Sequence, residues 1–234
     1  MNLIDWIRPW ARNPFRAKRI HDLYVEKDYL DAYSAHTDLK VEKDPHGPEW
    51  DEMGQHQLKF LVSEGLRPEH TLFDIGCGTL RAGRFFIEYL DAGHYTGTDI
   101  SPKAIAFCRK YVETNGLSAK SPSLFVNEEK RLLFNQVSGR TFDFILAQSV
   151  FSHLPDVLIA ECFANVRKIM HDRSRFYCTY VRDTDKKQIG IKSFSFPESF
   201  FSNLCAENNL QMKDLSKEYP HRNQTMLCVW PSSS

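Results

Sequence analysis

No sign of charge dominates this sequence. Thirty Lys and Arg balance thirty Asp and Glu, so no overall field would draw the chain to nucleic acid, and any basic patch must be local. Cysteine is sparse and scattered. Cys77, Cys108, Cys162, Cys178, Cys205 and Cys228 form no CxxC pair and no Cys/His spacing of a zinc site, so reduced, mostly buried thiols and no metal are expected. Long apolar runs are missing too. None approaches the roughly 20 residues of a membrane span, and no apolar leader stands near the start, which makes a soluble, cytoplasmic protein the expectation. The GxSxG elbow, the GxxxxGK[ST] loop and the HExxH helix are all absent, which sets aside the hydrolase, P-loop and zinc-protease classes. Apart from the terminal Ser232 to Ser234, no low-complexity tract or internal repeat occurs.

What is present supports one main domain. At 234 residues and 42% hydrophobic content, the chain can bury one sizeable core with a small cap. Its first twenty residues hold Trp6, Trp10 and Phe15 beside Arg8, Arg12, Arg16, Lys18 and Arg19, with Asp5 the only acid. Pro9 and Pro14 would interrupt a helix there. Two readings stand: an arm or cap packed on the domain, or a weak contact with an anionic membrane surface or a partner. The polar stretch Tyr24 to Asp44 follows, broken by Pro45 to Pro48. Residues 1–48 are therefore expected to form an N-terminal arm and cap, with Tyr24 to Gly54 closing over a site, and residues 49–234 the main domain.

From Glu49 to Leu66, Trp50, Met53, Leu58, Leu61 and Val62 recur at helical spacing until Gly65. Short apolar runs then alternate with helical patterns. Strands are expected at Thr71 to Ile75, His94 to Thr98, Ser123 to Val126, Phe142 to Ala147 and Arg175 to Tyr180. Helices are expected at Arg81 to Leu90, Lys103 to Asn115 and Pro155 to Met170. This rhythm specifies βαβ units on a parallel sheet. After a polar segment come a helix at Pro197 to Asn208 and two close strands, Gln211 to Leu215 and Thr225 to Trp230, which suggest an antiparallel edge. The expected fold is α/β: a doubly wound, seven-stranded mixed sheet, mostly parallel with an antiparallel last strand, flanked by helices on both faces and by an N-terminal helical cap.

The string Leu72-Phe-Asp-Ile-Gly-Cys-Gly-Thr-Leu-Arg-Ala-Gly83 lies where a strand gives way to a helix. Glycine there lets the backbone turn sharply and approach a ligand, and Gly76 and Gly78 fit that role. The next strand ends in Asp99, placed to accept hydrogen bonds from both hydroxyls of a ribose. The dinucleotide fingerprint G-x-G-x-x-G fails, because its third glycine would fall at Arg81; this disfavours a nicotinamide-dependent oxidoreductase. Asp74-Ile-Gly-Cys-Gly78 instead resembles the acid-x-Gly-x-Gly motif of class I S-adenosylmethionine-dependent methyltransferases, and the resemblance runs from about Trp50 to Trp230.

That resemblance implies S-adenosyl-L-methionine as cofactor and methyl transfer as the activity. It places Gly76, Cys77 and Gly78 under the methionine and ribose parts, Asp74 at the methionine end and Asp99, with Ile100 beside it, at the ribose. Asn127, with Glu128 as a competitor, falls where an adenine contact is usual. Gln148, Ser149 and Phe151 lie at the mouth of the fourth strand. The string Tyr219 to Gln224 is also similar to the family, with no derived role. Thr79-Leu80 departs from the family's usual small residue and glycine. Arg81 and Arg84 read as a solvated helix face or as a contact for an acidic acceptor. His153 is the candidate general base, since an imidazole with an ordinary pKa of about 6.5 suits proton removal near neutrality; its other reading is a residue that packs where a helix begins. The Asn/Asp-Pro-Pro-aromatic signature of amino-methylating nucleic-acid enzymes is absent, so a small-molecule or glycan acceptor is expected and DNA is not. Methylation of protein or RNA, and a non-catalytic cofactor-binding scaffold, are the alternatives.

Overall fold

The computed structural model describes residues 14–47, 49–220 and 223–232. The basic aromatic arm at 1–13, the side chains of Phe15 and Arg16, and with them the membrane or partner contact expected there, lie outside the described residues, as do His221 and Arg222.

Three helices precede the sheet: α1 (Pro14–Glu26), α2 (Tyr29–Lys43) and α3 (Trp50–Ser63). Then come β1 (Leu72–Ile75), α4 (Gly83–Tyr89), β2 (Tyr95–Asp99), α5 (Pro102–Thr114), β3 (Ser123–Val126), β4 (Phe142–Ala147), α6 (Asp156–Val166) and β5 (Met170–Val181). The chain continues through β6 (Lys187–Gly190), β7 (Ser193–Ser195), α7 (Glu198–Glu207), β8 (Leu210–Asp214) and β9 (Gln224–Pro231). Seven strands form one sheet in the order β3-β2-β1-β4-β5-β9-β8. The first five run parallel, and β9 pairs antiparallel with both β5 and β8. The expected mixed sheet is present, with one difference of placement: the antiparallel last strand sits between β5 and β8, and β8 forms the edge.

Side-chain alternation along the strands makes two cores. In β1, Leu72 faces the layer that also buries Phe60, Phe86 and Ile105, while Phe73 and Ile75 face the layer built with Ile159, Phe163 and Phe201. Strands buried on both faces read as continuous apolar runs, which is why the central strands were legible. At α5, Ser101 Oγ accepts from the Ala104 amide at 3.0 Å and Pro102 opens the first turn, a favourable helix start. Pro14, expected to interrupt a helix, is the first described residue of α1. The segment after β5, expected to be merely polar, contains the β6–β7 hairpin. All six cysteines are free and buried. Among the described residues no helix is long and apolar enough to cross a membrane, and no group of His, Cys, Asp and Glu could hold a metal.

Candidate functional site

The reversal of strand order between β1 and β4 opens a crevice at the carboxyl ends of the sheet, the place where open α/β sheets bind ligands. The loop after β1 forms its floor. Gly76 has φ of 71° and Gly78 of 57°, left-handed values that cost a residue with a Cβ about 1–2 kcal/mol. At Gly76 space forbids a side chain as well, because a Cβ would lie 2.7 Å from Val150 Cγ2. Leu80 stands where the family has glycine and also takes a left-handed φ, of 64°. It is fully buried, so its core burial offsets the backbone strain. Thr79 Oγ1 donates to the Pro45 carbonyl at 2.6 Å, tying the loop to the chain before α3.

Asp99 closes the opposite side. Its Oδ2 accepts from the Gly78 amide at 3.0 Å and its Oδ1 from the Ser101 amide at 2.8 Å. Each carboxylate oxygen has capacity for a second donor, so two hydroxyls can still be received. Burial raises its pKa, opposed by these amides. Asp74 lies beneath the loop, 5% exposed, with Tyr95 donating its hydroxyl to Oδ2 at 2.7 Å. Burial pushes its pKa up to about 7.

A cavity lies above these residues. Of the residues singled out in the sequence, Gly76, Asp99, Ile100, Asn127, Gln148 and Ser149 line it, joined by Thr98, Val150, Leu132 and Leu158. The structure does not bring the others to its wall. Glu128 is exposed to solvent. The Cys77 side chain turns under the loop toward Gly97, whose Cβ would lie 3.1 Å from its Sγ, and the neighbouring Cys108 thiol, then burial, hold its pKa well up. Phe151 is fully buried among Phe163, Phe176 and Phe201, a residue of the core and not of the cavity wall. Nor is the helix face of Arg84 solvated: its guanidinium pairs with Asp51 and lies over the Trp50 and Phe85 rings, leaving the side chain 13% exposed.

The rear wall is a polar chain that sequence spacing did not disclose. Ser149, also left-handed at φ 56°, receives Thr179 Oγ1 as acceptor for its amide at 2.7 Å. Both Ser149 Oγ and Thr179 Oγ1 donate to Gln224 Oε1, at 3.0 and 2.7 Å. Gln224 of the family-like string thus holds the end of β4. Beside it, Gln148 Nε2 donates to Ser149 Oγ at 3.3 Å, while the buried Gln148 Oε1 has no hydrogen-bond partner. A buried acceptor left in this state at a cavity wall suits a ligand donor.

Helix α2 roofs the cavity with Leu30 and Tyr33. Polar ties hold it: Ser34 Oγ donates to the Ile100 carbonyl at 3.0 Å, Ser101 Oγ donates to Asp38, Lys103 pairs with Glu42, and Lys130 pairs with Asp31. Across the roof, Tyr29 donates its hydroxyl to the His153 carbonyl at 2.7 Å. His153 Nδ1 lies 2.9 Å from the Lys192 carbonyl. A carbonyl only accepts, so Nδ1 carries the proton and Nε2 the lone pair. Burial, with the Lys192 charge, drives the His153 pKa down to about 3.

Residues 73–176, from within β1 into β5, match the model of a methyltransferase domain. The magnesium protoporphyrin IX methyltransferase (ChlM) from Synechocystis PCC 6803, solved with bound SAM, is 14% identical, with a TM-score of 0.65 over 88% of this chain and 98% of that one. A TehB-like SAM-dependent methyltransferase from Corynebacterium glutamicum is 17% identical, with a TM-score of 0.55 over 76% and 88%. The CcbJ methyltransferase from Streptomyces caelestis is 9% identical, with a TM-score of 0.61 over 80% and 91%. At such identities the likeness is one of fold. The domain match spans the glycine loop, Asp99 and the end of β4, and together with the likeness of fold it supports a methyltransferase family of the S-adenosylmethionine-dependent kind.

Proposed function

We propose that the cavity binds S-adenosylmethionine in an extended pose and that this chain transfers its methyl group to a small-molecule or saccharide-like acceptor admitted beside α2. One observation carries the reading: the left-handed Gly76–Gly78 turn and the Asp99 carboxylate meet at one cavity beyond the carboxyl ends of the strands, where open α/β sheets bind ligands. Asp99 would receive the two ribose hydroxyls. Ile100, Leu132 and Leu158 would bracket the adenine, with Asn127 at its edge. Gly76 and Ser149 would lie against the methionine part, and the unpartnered Gln148 Oε1 suits its ammonium. Cys77 and Gly78 contribute backbone, the Gly78 amide by fixing Asp99. Asp74 acts from below the loop, holding its shape through Tyr95.

The sulfonium supplies an electrophilic methyl, so the chain's own task is to align a nucleophile and exclude water. Leu30 and Tyr33 of α2 cover the cavity and serve the second task. For His153 the structure favours orientation over proton removal. With Nδ1–H held by the Lys192 carbonyl and the pKa near 3, the ring is a weak base whose Nε2 can accept a hydrogen bond from an acceptor's O–H or N–H.

Calorimetric titration of S-adenosylmethionine and S-adenosylhomocysteine into the wild type and Asp99→Ala, with NAD as control, tests the assignment. Micromolar binding that falls by about 100-fold in the variant is expected, equivalent to about 2.7 kcal/mol. Binding of NAD instead, or equal affinity in the two proteins, would overturn it.

A further inference from the structure

Beside Tyr33 of the cavity roof, two lysines meet. Lys40 lies on α2, and Lys192 on the turn of the β6–β7 hairpin. Tyr33 and Lys40 are seven residues apart, two turns of one helix face. Lys192 is 9% exposed, its Nζ 5.5 Å from the centre of the Tyr33 ring, and Lys40 is within side-chain hydrogen-bonding reach of it. The His153 ring stands 5.7 Å from the same Tyr33 ring. No carboxylate of the described residues forms an ion pair with either lysine, although twelve Lys or Arg pairs occur elsewhere among them.

This arrangement is expensive in the free protein. A buried ammonium wants a paired anion, and a second cation beside it makes matters worse. Burial, then the Lys40 charge, brings the Lys192 pKa down to about 6. The remaining groups facing it give no relief: His153 is uncharged near neutrality, and the Tyr33 hydroxyl is held protonated by burial. A buried Lys192 amine that gains a proton when an anion arrives, beside the solvent-exposed Lys40 and against the Tyr33 ring, is what an anionic oxygen group would need. An ion there would accept from both and complete their pairing.

We propose that Lys40 and Lys192 form a subsite for an anionic group, a carboxylate or a phosphate, carried by the methyl acceptor. The subsite adjoins Tyr33, which lines the cavity, so an acceptor held there by its charge presents its remaining atoms to Tyr33 and His153. This deepens the methyltransferase reading and rests on it for the word acceptor.

The test uses the full chain saturated with S-adenosylhomocysteine. Sodium benzoate and sodium phosphate are titrated separately at constant ionic strength, near pH 7.5, in two buffers of different ionisation enthalpy. Wild-type protein should bind at least one of the two anions with net uptake of a proton, as Lys192 becomes charged; which anion binds tells carboxylate from phosphate. Lys192→Met, close in length and able to remain buried, should weaken that binding by about tenfold or more while leaving the affinity for S-adenosylhomocysteine unchanged. Its thermal midpoint without ligand should rise by several degrees. Lys40→Met should weaken the anion less. Binding of neither anion by the wild type, equal anion binding in Lys192→Met, or loss of S-adenosylhomocysteine affinity in that variant would overturn the subsite. Failure of wild-type protein to bind S-adenosylhomocysteine at all would instead overturn the methyltransferase reading, and anion titration without it would still judge the lysine pair.

Discussion

Acidic side chains lie under the glycine loop and basic ones beside Tyr33, two ends of the site that have no counter-charge among the described residues. Beneath the glycine loop Asp74 and Asp99 are buried with no described cation beside them, and burial raises both pKa values. Beside Tyr33, Lys40 and Lys192 have no described acid, and the Lys192 pKa is depressed. Unpaired buried charge is costly in either sign, so each end is better suited to a ligand of the opposite charge: a cationic sulfonium and ammonium at the first, an anion at the second. The ends also differ in construction. The acidic end is backbone on the rigid sheet, whereas the basic end is side chains on a roof helix and a hairpin held by surface polar ties. Such ties are individually worth little, which makes the roof the part able to open.

Breaking the acidic end at its backbone should have the largest effect. Gly76→Ala meets both the left-handed φ and Val150, and displacement of the loop should reduce S-adenosylhomocysteine affinity at least about 100-fold, read by calorimetry. Next is the support of that loop. A Cβ at Gly54 of α3 would stand 2.1 Å from the Arg81 carbonyl and 2.7 Å from the Phe85 ring, so Gly54→Ala should lower unfolding free energy by about 3 kcal/mol in urea denaturation.

The charge contrast has its own signature in pH. Asp74 is near 3.8 when unfolded and about 7 when folded. Its cost to the native state is absent below pH 4, grows as pH rises, and is complete above 7. Asp74→Asn should therefore gain stability relative to wild type with rising pH. Lys192 is near 10.5 unfolded and about 6 folded, so its cost is complete below pH 6 and fades toward 10.5. The advantage of Lys192→Met should shrink with rising pH. Thermal midpoints across pH 5–9 would show two differences of opposite slope; parallel slopes would remove the contrast. The smallest effect is expected at the roof. Ser34→Ala deletes the bond from α2 to the Ile100 carbonyl and should cost about 1 kcal/mol, seen as faster release of S-adenosylhomocysteine in stopped-flow displacement.

The same contrast separates what was legible in the sequence from what was not. Continuous apolar runs announced β1, β4 and β5, because strands buried on both faces show no polar gap. The turn at Gly76–Gly78 was legible because a left-handed turn favours one residue type at one place, and the acid at Asp99 because it closes the strand that follows. Phe151 and Cys77 were misplaced for a physical reason: a position at a strand mouth does not say which way the side chain points, and both point into the core. Gln224 was visible as part of a string but had no role until β9 paired beside β5 and brought it to Ser149.

Sequence by itself therefore determined the sheet, the glycine turn and the acidic residue opposite it, all of which follow from local periodicity and backbone conformation. Tertiary structure alone decided the basic end. Lys40 and Lys192 lie in segments without apolar rhythm, far apart along the chain, and their meeting depends on how α2 and the β6–β7 hairpin settle over the cavity, a long-range packing that no local pattern encodes.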